Sequence, residues 1–157
     1  MDYRALNALI KKDWYPLPLI NKTLERIGKA LWFTKLNVIQ AYYKLQVAKG
    51  DEWMTAFHTR YGLFEWLVTP LGLANALSTF QKYINWYLKD YLDEFALAYI
   101  DDILVFTTGS LQKYQEYVCK VLKWLWQASL QVSINKCKFE THSIKYLGFI
   151  IKTRKGM

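Results

Sequence analysis

The stretch that decides the fold reads Ala96-Leu97-Ala98-Tyr99-Ile100-Asp101-Asp102-Ile103-Leu104-Val105-Phe106. Two apolar runs flank a pair of carboxylates, which predicts a hairpin over 95–106 that turns at Asp101 and Asp102. Aspartate favours tight turns, so an ordinary hairpin tip is one explanation of the pair. The other explanation is a divalent-cation site with hard oxygen ligands at a rigid turn. A two-ion site of the kind that assists phosphoryl transfer needs a third ligand from another strand.

Helical and strand-like segments are interspersed on both sides of this hairpin. Upstream, the extended segment Tyr15-Pro16-Leu17-Pro18 precedes a short helix that is expected to reach Arg26. The spacing of apolar residues predicts two longer helices, over 75–91 and 111–126. Aromatic and β-branched runs predict strands at 32–36, 43–47, 54–59, 64–68, 130–134 and 144–151. The order predicts an α+β fold, in which helices pack on one face of an antiparallel sheet.

Composition limits the class of protein. The 157 residues are 53% hydrophobic and 17% aromatic, which excludes a disordered chain and fits one domain. The formal charge of +8 favours a polyanionic partner slightly over a merely solvated surface. Two distant cysteines, Cys119 and Cys137, fit a reducing compartment. The N-terminus is no signal peptide and no apolar stretch approaches the roughly 20 residues that span a bilayer. We therefore expect an intracellular protein, cytoplasmic or nuclear, without a membrane partner.

Ten short motifs follow one another along the chain. They are Asp2-Tyr3-Arg4-Ala5-Leu6-Asn7, Tyr15-Pro16-Leu17-Pro18, Phe33-Thr34-Lys35-Leu36, Gly50-Asp51-Glu52-Trp53, Thr55-Ala56-Phe57, Pro70-Leu71-Gly72-Leu73-Ala74-Asn75-Ala76, Thr79-Phe80-Gln81, Tyr99-Ile100-Asp101-Asp102-Ile103-Leu104, Lys136-Cys137 and Tyr146-Leu147-Gly148. In this order the chain resembles the reverse transcriptase of gypsy-type long-terminal-repeat retrotransposons. The resemblance implies a polymerase palm that carries part of the fingers. Within the single domain 1–157, residues 1–35 and 43–70 would belong partly to the fingers. The upstream fingers strands, the thumb and ribonuclease H would lie outside the chain.

The resemblance also implies the site of an RNA-directed DNA polymerase that uses Mg²⁺ or Mn²⁺. Asp101, Asp102 and the backbone of Val38 would be the metal ligands. The residues that bind the nucleotide would be Val38, Gln40, Ala41, Tyr42 and Leu71. Tyr42 would exclude a ribose 2′-hydroxyl, although its residue type alone favours a core aromatic. Template and primer would lie against Gly72, Asn75, Gln81, Tyr99, Gly148 and Phe149. The implied partners are an RNA or DNA primer–template, deoxynucleotides, and further polyprotein domains or a homodimer.

One residue departs from the family pattern at an expected metal-binding position. The family segment ends in an aspartate that bridges both metal ions, whereas this chain has Asn37 at that catalytic position. An amide brings no negative charge, so we expect weakened metal binding. Loss of one strong electrostatic group typically costs on the order of 10²–10³ in rate. Four further departures, Met54, Leu77, Tyr114 and Tyr117, suggest drift. The chain is expected to be an impaired or inactive polymerase. The alternatives are a non-catalytic domain that binds nucleic acid or protein, and a fragment without function.

Overall fold

The structure is a computed structural model and describes residues 1–16, 20–39 and 41–153. Its helices are α1 (Arg4–Leu9), α2 (Ile20–Ile27), α3 (Ala76–Leu88) and α4 (Leu111–Gln127). Its strands are β1 (Trp32–Ile39), β2 (Phe57–Thr59), β3 (Gly62–Phe64), β4 (Ala96–Tyr99), β5 (Asp102–Thr107), β6 (Gln131–Val132), β7 (Lys138–Thr141), β8 (Ser143–Tyr146) and β9 (Phe149–Lys152). Short 3₁₀ helices occupy Ala41–Lys44, Glu52–Thr55 and Ile134–Lys136. No helix among the described residues is long and apolar enough to cross a membrane.

The centre of the molecule is a five-stranded antiparallel sheet built around β1. On one side, β5 pairs with β1 from Thr107 opposite Trp32 to Asp102 opposite Asn37, and β4 pairs with β5. On the other side, β6 and β7 pair with different parts of β1. Two separate antiparallel hairpins, β2–β3 and β8–β9, lie outside this sheet. The predicted antiparallel sheet is confirmed, and its register brings residue 37 beside the turn between β4 and β5.

The two faces of the sheet are covered by different layers. α3 and α4 pack on one face, against a core that includes Leu36, Val38, Ile103 and Val105. The other face packs against the β8–β9 hairpin and the end of α2, and Phe33 lies in that second cluster. Because successive strand residues point to opposite faces, Lys35 and Asn37 follow Phe33 on the second face. The predicted layer of helices on one face is therefore confirmed for α3 and α4.

Several predicted strands differ from the structure. Residues 43–47 were expected to be a strand, but a 3₁₀ helix at Ala41–Lys44 and one isolated bridge at Gln46 replace it. Residues 54–59 and 64–68 yield only the three-residue strands β2 and β3. Residues 144–151 form two strands, because Leu147 and Gly148 have φ values of 50° and 83° and turn the chain. The hairpin over 95–106 and both long helices are confirmed, whereas residues 17–19 of the extended segment lie outside the described residues.

Two tyrosines of α4 that suggested drift have defined positions in the core. The buried hydroxyl of Tyr114 hydrogen-bonds the Thr34 hydroxyl, donates to the Phe33 carbonyl at 3.2 Å and accepts from the Glu140 amide at 2.7 Å. Tyr117 stacks on Phe95 with ring centroids 3.8 Å apart. Tyr114 thus connects α4 to β1 and to β7. Both residues contribute to packing, which the sequence did not indicate.

Candidate active site

The turn between β4 and β5 is held from beneath by one buried side chain. Gln81 of α3 is fully buried, and its side-chain oxygen accepts the Ile100 amide at 2.7 Å. Its side-chain nitrogen donates to the Ala98 carbonyl at 3.1 Å and to the Asn85 side chain at 2.8 Å. Ile100 has a φ of 54°, a left-handed conformation that costs about 1–2 kcal/mol for a residue with a Cβ. The Gln81 contacts therefore stabilise an unfavourable backbone conformation that projects Asp101.

Asn37 lies against both carboxylates of the turn. Its amide nitrogen is 3.1 Å from an oxygen of Asp102 and 3.3 Å from an oxygen of Asp101. The assignment of nitrogen rather than oxygen to this position follows from electrostatics, since an amide oxygen would repel two carboxylates. The neighbouring backbone is also fixed, because the Val38 amide donates to the Asp101 carbonyl at 2.7 Å. The amide of Asn37 thus bridges two acidic groups as a hydrogen-bond donor.

The second oxygen of Asp102 is occupied by a cation from β1. The Lys35 ammonium lies 2.7 Å from this oxygen, and the two side chains are only 21% and 22% exposed. Lys35 and Asn37 lie on the same face of β1, so the two donors reach the carboxylate from one strand. Asp102 therefore has its charge compensated by a lysine and its other oxygen bound to an amide. This arrangement is electrostatically satisfied by protein groups alone.

A cavity of about 320 Å³ opens beside the turn. It is lined by Asn37, Val38, Ile39, Tyr42, Tyr43, Leu71, Asp101 and Lys136. The structure therefore brings together three of the expected nucleotide-binding residues, Val38, Tyr42 and Leu71, with two of the expected catalytic positions. Gln40 lies outside the described residues, and the side chain of Ala41 is likewise not described. Ile39 and Tyr43 also line the cavity but were not predicted from the sequence. The sequence feature that indicates them is their position next to the expected nucleotide-binding residues 40–42.

Two tyrosine hydroxyls near the carboxylates are kept in the neutral form. Burial, and then the charge of Asp101, raises the pKa of Tyr42 above its ordinary value. The ring of Tyr42 packs on Phe80 with centroids 5.6 Å apart. On the opposite layer, burial and the charge of Asp102 raise the pKa of Tyr146 well above the usual range. A phenol is already protonated at neutral pH, so the raised pKa values extend the range in which both hydroxyls are donors to more alkaline pH. The charge contributions show that both hydroxyls lie near the acidic turn.

The expected template–primer residues occupy three different settings. Gln81 is buried beneath the turn. The side chain of Asn75 accepts the Asp13 amide and donates to the Lys11 carbonyl, each at 2.9 Å, so both of its polar groups are bound to the N-terminal segment. Gly72 has a φ of 105° and its carbonyl accepts from the Asn7 side chain at 2.9 Å. Tyr99 is half-buried, Gly148 turns the β8–β9 hairpin, and Phe149 is 50% exposed beside it. Among these six residues, Phe149 therefore presents a large exposed ring.

The sheet, the helix layer and the acidic turn define a polymerase palm, and comparison with known proteins identifies the class. A model of the family described as reverse transcriptase (RNA-dependent DNA polymerase) matches residues 1–151. The chain belongs to the reverse transcriptase family. A foamy viral protease–reverse transcriptase, solved in complex with an RNA/DNA hybrid, has the same fold with a TM-score of 0.86. That likeness covers 96% of this chain and 20% of the viral chain at 24% identity, and it confirms the expected fold.

Two relatives identify the wider group. The chain is 46% identical over 110 residues to an RNA-directed DNA polymerase homolog of Oenothera berteroana, which covers 70% of this chain and 78% of the relative. It is 37% identical over 154 residues to the Transposon Tf2-3 polyprotein of Schizosaccharomyces pombe, covering 98% of this chain. The chain spans 12% of the length of that polyprotein. The chain is therefore a reverse transcriptase domain of the kind carried by retrotransposon polyproteins.

The side chains at the turn depart from an all-carboxylate site for the divalent ions that reverse transcriptases generally use. Divalent ions of this kind prefer several oxygen ligands, with carboxylates supplying the negative charge. Here the third position presents an N–H donor, and an ammonium lies on Asp102. Within residues 1–16, 20–39 and 41–153, no group of three or more His, Cys, Asp or Glu side chains is placed to hold a metal. Two carboxylates and one amide therefore provide less negative charge than three carboxylates would.

Proposed function

We propose that this chain is the palm-centred core of an RNA-directed DNA polymerase from a gypsy-type retrotransposon, in a copy whose nucleotidyl transfer is impaired or lost. The observation that carries the proposal is the Asn37 amide, which lies within 3.3 Å of both Asp101 and Asp102. The fingers strands, thumb and ribonuclease H would be further domains of an intracellular polyprotein, either cytoplasmic or nuclear. Primer–template and deoxynucleotides would be the partners of the intact enzyme, which could act as a monomer or a homodimer.

The shape of the cavity supports the nucleotide part of the proposal. At about 320 Å³ the cavity falls at the small end of ligand sites, which suits the sugar and base of one nucleotide. Tyr42 is half-buried and neutral, so its ring would meet the sugar as a rigid wall rather than as a charge. This position suits the exclusion of a 2′-hydroxyl. Leu71 supplies an apolar surface on the same cavity, against which a base would pack.

The same geometry supports the impairment. In the polymerase reaction, a primer 3′-oxygen forms a bond to the α-phosphorus of a nucleotide, and the bond to the departing pyrophosphate breaks. Negative charge accumulates at the reacting phosphate, and catalysis depends on groups that are oriented in advance to stabilise it. The turn contributes two carboxylates, which repel a phosphate unless cations screen them. Asn37 compensates those carboxylates by hydrogen bonds and leaves less negative charge with which to bind cations.

The test combines primer extension with direct metal binding. The native 157-residue chain and the Asn37→Asp variant are compared on an RNA template with Mg²⁺ or Mn²⁺, and Mn²⁺ binding is followed by electron paramagnetic resonance. We expect little or no synthesis by the native chain. Asn37→Asp is expected to bind Mn²⁺ more tightly and, if the chain retains enough primer contacts, to increase synthesis by roughly 10²–10³. The double variant Asn37→Asp, Asp101→Asn is the control and should lose both gains.

The outcomes separate the competing explanations. Robust synthesis by the native chain that depends on Asp101 would refute the impairment. Tighter Mn²⁺ binding by Asn37→Asp without synthesis would assign the remaining defect to polyprotein segments that these 157 residues do not cover. Salt-dependent nucleic-acid binding with no synthesis by any variant would instead favour a non-catalytic binding domain.

A further inference from the structure

A second cavity lies on the outer side of α3, and its lining differs from that of the acidic turn. Its volume is about 570 Å³, and it is lined by Tyr15, Leu45, Thr79, Lys82, Tyr83, Asn85 and Trp86. Residues 79, 82, 83 and 86 recur at helical spacing on one side of α3. Phe80, Ile84 and Leu88 of the same helix are buried in the core, so the cavity is on the side of α3 that the core leaves open. We call this feature the outer groove.

The walls of the outer groove are aromatic and fixed in place. The hydroxyl of Tyr15 accepts a hydrogen bond from the Asn85 side chain at 2.9 Å, which attaches the N-terminal segment to α3. Trp86 meets Tyr87 edge-on with ring centroids 4.9 Å apart, and Tyr83 lies 4.7 Å from Tyr87. Trp86 is nevertheless 66% exposed. The groove therefore presents preformed aromatic surfaces to solvent without needing a rearrangement to expose them.

Lysines surround these rings. Lys82 lies 5.4 Å from the centroid of Tyr15, and Lys89 lies 5.9 Å from that of Trp86. The adjoining segment adds two exposed lysines, Lys11 and Lys12. The acidic side chains nearby are Asp13, which is paired with Lys82 at 2.5 Å, and the exposed Asp90. Because Asp13 compensates Lys82, the positive balance of the segments around the groove comes from Lys11, Lys12 and Lys89 against Asp90.

We propose that the outer groove binds a single-stranded polynucleotide, separately from the acidic turn. Exposed aromatic rings stack with unpaired bases of any sequence, and neighbouring lysines neutralise the phosphates. A double-stranded nucleic acid hides the faces of its bases, so it cannot use the rings in this way. The groove lies on the helix-covered side of the sheet, whereas Asn37 and Lys35 lie on the opposite face. Asn85 hydrogen-bonds Gln81, which supports the turn, but no groove residue has a described hydrogen bond to Asn37, Asp101 or Asp102. Binding in the groove therefore does not depend on whether the turn catalyses a reaction.

The test measures binding of fluorescein-labelled homopolymers of about ten nucleotides, a length within the usual site size of single-strand binders. Fluorescence anisotropy is recorded with the full chain, using oligouridylate and oligothymidylate as separate probes. Trp86→Ala is expected to weaken binding of at least one probe by about tenfold, because removal of one stacked ring typically has an effect of this order. Trp86→Phe should retain most of the affinity. Lys89→Gln should reduce the slope of log K against log salt by about 0.7.

Trp126→Ala is the matched control, because Trp126 is 78% exposed on α4 and does not line the groove. The control should bind as the native chain does, and a blunt duplex should bind Trp86→Ala and the native chain alike. Equal affinity of Trp86→Ala and the native chain for both single-stranded probes would overturn the proposal. It would also be overturned if Trp86→Ala changed the mass of the protein in solution, since the groove would then be a contact between copies. Neither result would bear on synthesis by Asn37→Asp, so this proposal and the proposed function fail separately.

Discussion

Replacing Asn37 by aspartate should convert a turn that is stable without metal into one that depends on it. The amide nitrogen of Asn37 lies 3.1 Å from Asp102 and 3.3 Å from Asp101, and the variant would place a third carboxylate there. Two like charges about 4 Å apart repel by about 4 kcal/mol at an effective dielectric constant of about 20. Lys35, relaxation and solvent reduce this repulsion. We expect the free energy of unfolding to fall by about 2–3 kcal/mol at pH 7 without metal.

The pH dependence of the Asn37→Asp variant has a definite sign. The two neighbouring carboxylates raise the pKa of the introduced carboxyl in the folded state above its unfolded value. The folded variant then binds more protons than the unfolded chain between those two pKa values, so its stability rises as the pH falls through that interval. The native chain lacks this third carboxylate and should show a smaller change. Urea unfolding at pH 5 and pH 7 measures the difference.

Divalent ions should restore the stability that the variant loses. A ligand that binds only the folded state stabilises it by about 2.7 kcal/mol when its concentration is 100 times its dissociation constant. Addition of Mg²⁺ or Mn²⁺ should therefore raise the urea midpoint of Asn37→Asp and leave that of the native chain nearly unchanged. Asn135→Asp, at an exposed position, is the matched control and should behave like the native chain. Equal stabilisation of the native chain and the variant by metal would refute the electrostatic account of Asn37.

Five further substitutions, two of them controls, test the structure itself by urea unfolding. Gln81→Leu removes the hydrogen bonds to Ile100 and Ala98 and should cost about 2–3 kcal/mol, with secondary structure elsewhere retained by circular dichroism. Tyr114→Phe leaves the Glu140 amide without its acceptor and should cost about 1–3 kcal/mol, whereas Tyr117→Phe should have little effect. Gly148→Ala should cost about 1 kcal/mol because φ is 83°, while Gly28→Ala, whose added Cβ meets neighbours at 3.5 and 3.6 Å, should be neutral or stabilising. The structural roles would be contradicted if Gln81→Leu lowered the free energy of unfolding less than Tyr117→Phe does. They would also be contradicted if Tyr114→Phe and Tyr117→Phe, or Gly148→Ala and Gly28→Ala, had equal effects.

The hairpin at the centre of the fold could be predicted because its signals are local. Two apolar runs around an aspartate pair specify strands and a turn without reference to the rest of the chain. The strand predicted at 43–47 was wrong for the same reason, since Tyr43 also suits a short 3₁₀ helix that packs against α3. A single segment carries no information about which partner covers it. The last hairpin was predicted as one strand because the residues around it are mostly apolar. The turn comes from the left-handed conformations of Leu147 and Gly148.

The geometry of the candidate site could not be predicted, because it depends on contacts between residues that are far apart in the sequence. The resemblance selected Asp101, Asp102 and Asn37, but only the register of β1 and β5 places the amide between the carboxylates. The side chain of Asn75 bonds backbone groups 62 and 64 residues away, so its structural role was not visible in the sequence. Gln81 likewise reaches Ile100 across 19 residues. The roles proposed for Tyr42, Leu71 and the template–primer residues remain predictions.

The support that Gln81 gives the turn has a consequence for how such a domain tolerates mutations during evolution. Gln81 is neutral and acts from the helix side, so the backbone of the turn does not require the charges on its other side. The turn can therefore keep its conformation when a metal-ligand residue is replaced. A lineage could lose that ligand while its descendants still fold. Asparagine and aspartate codons differ at a single base. If the proposed impairment is correct, a single base change would return an aspartate to position 37.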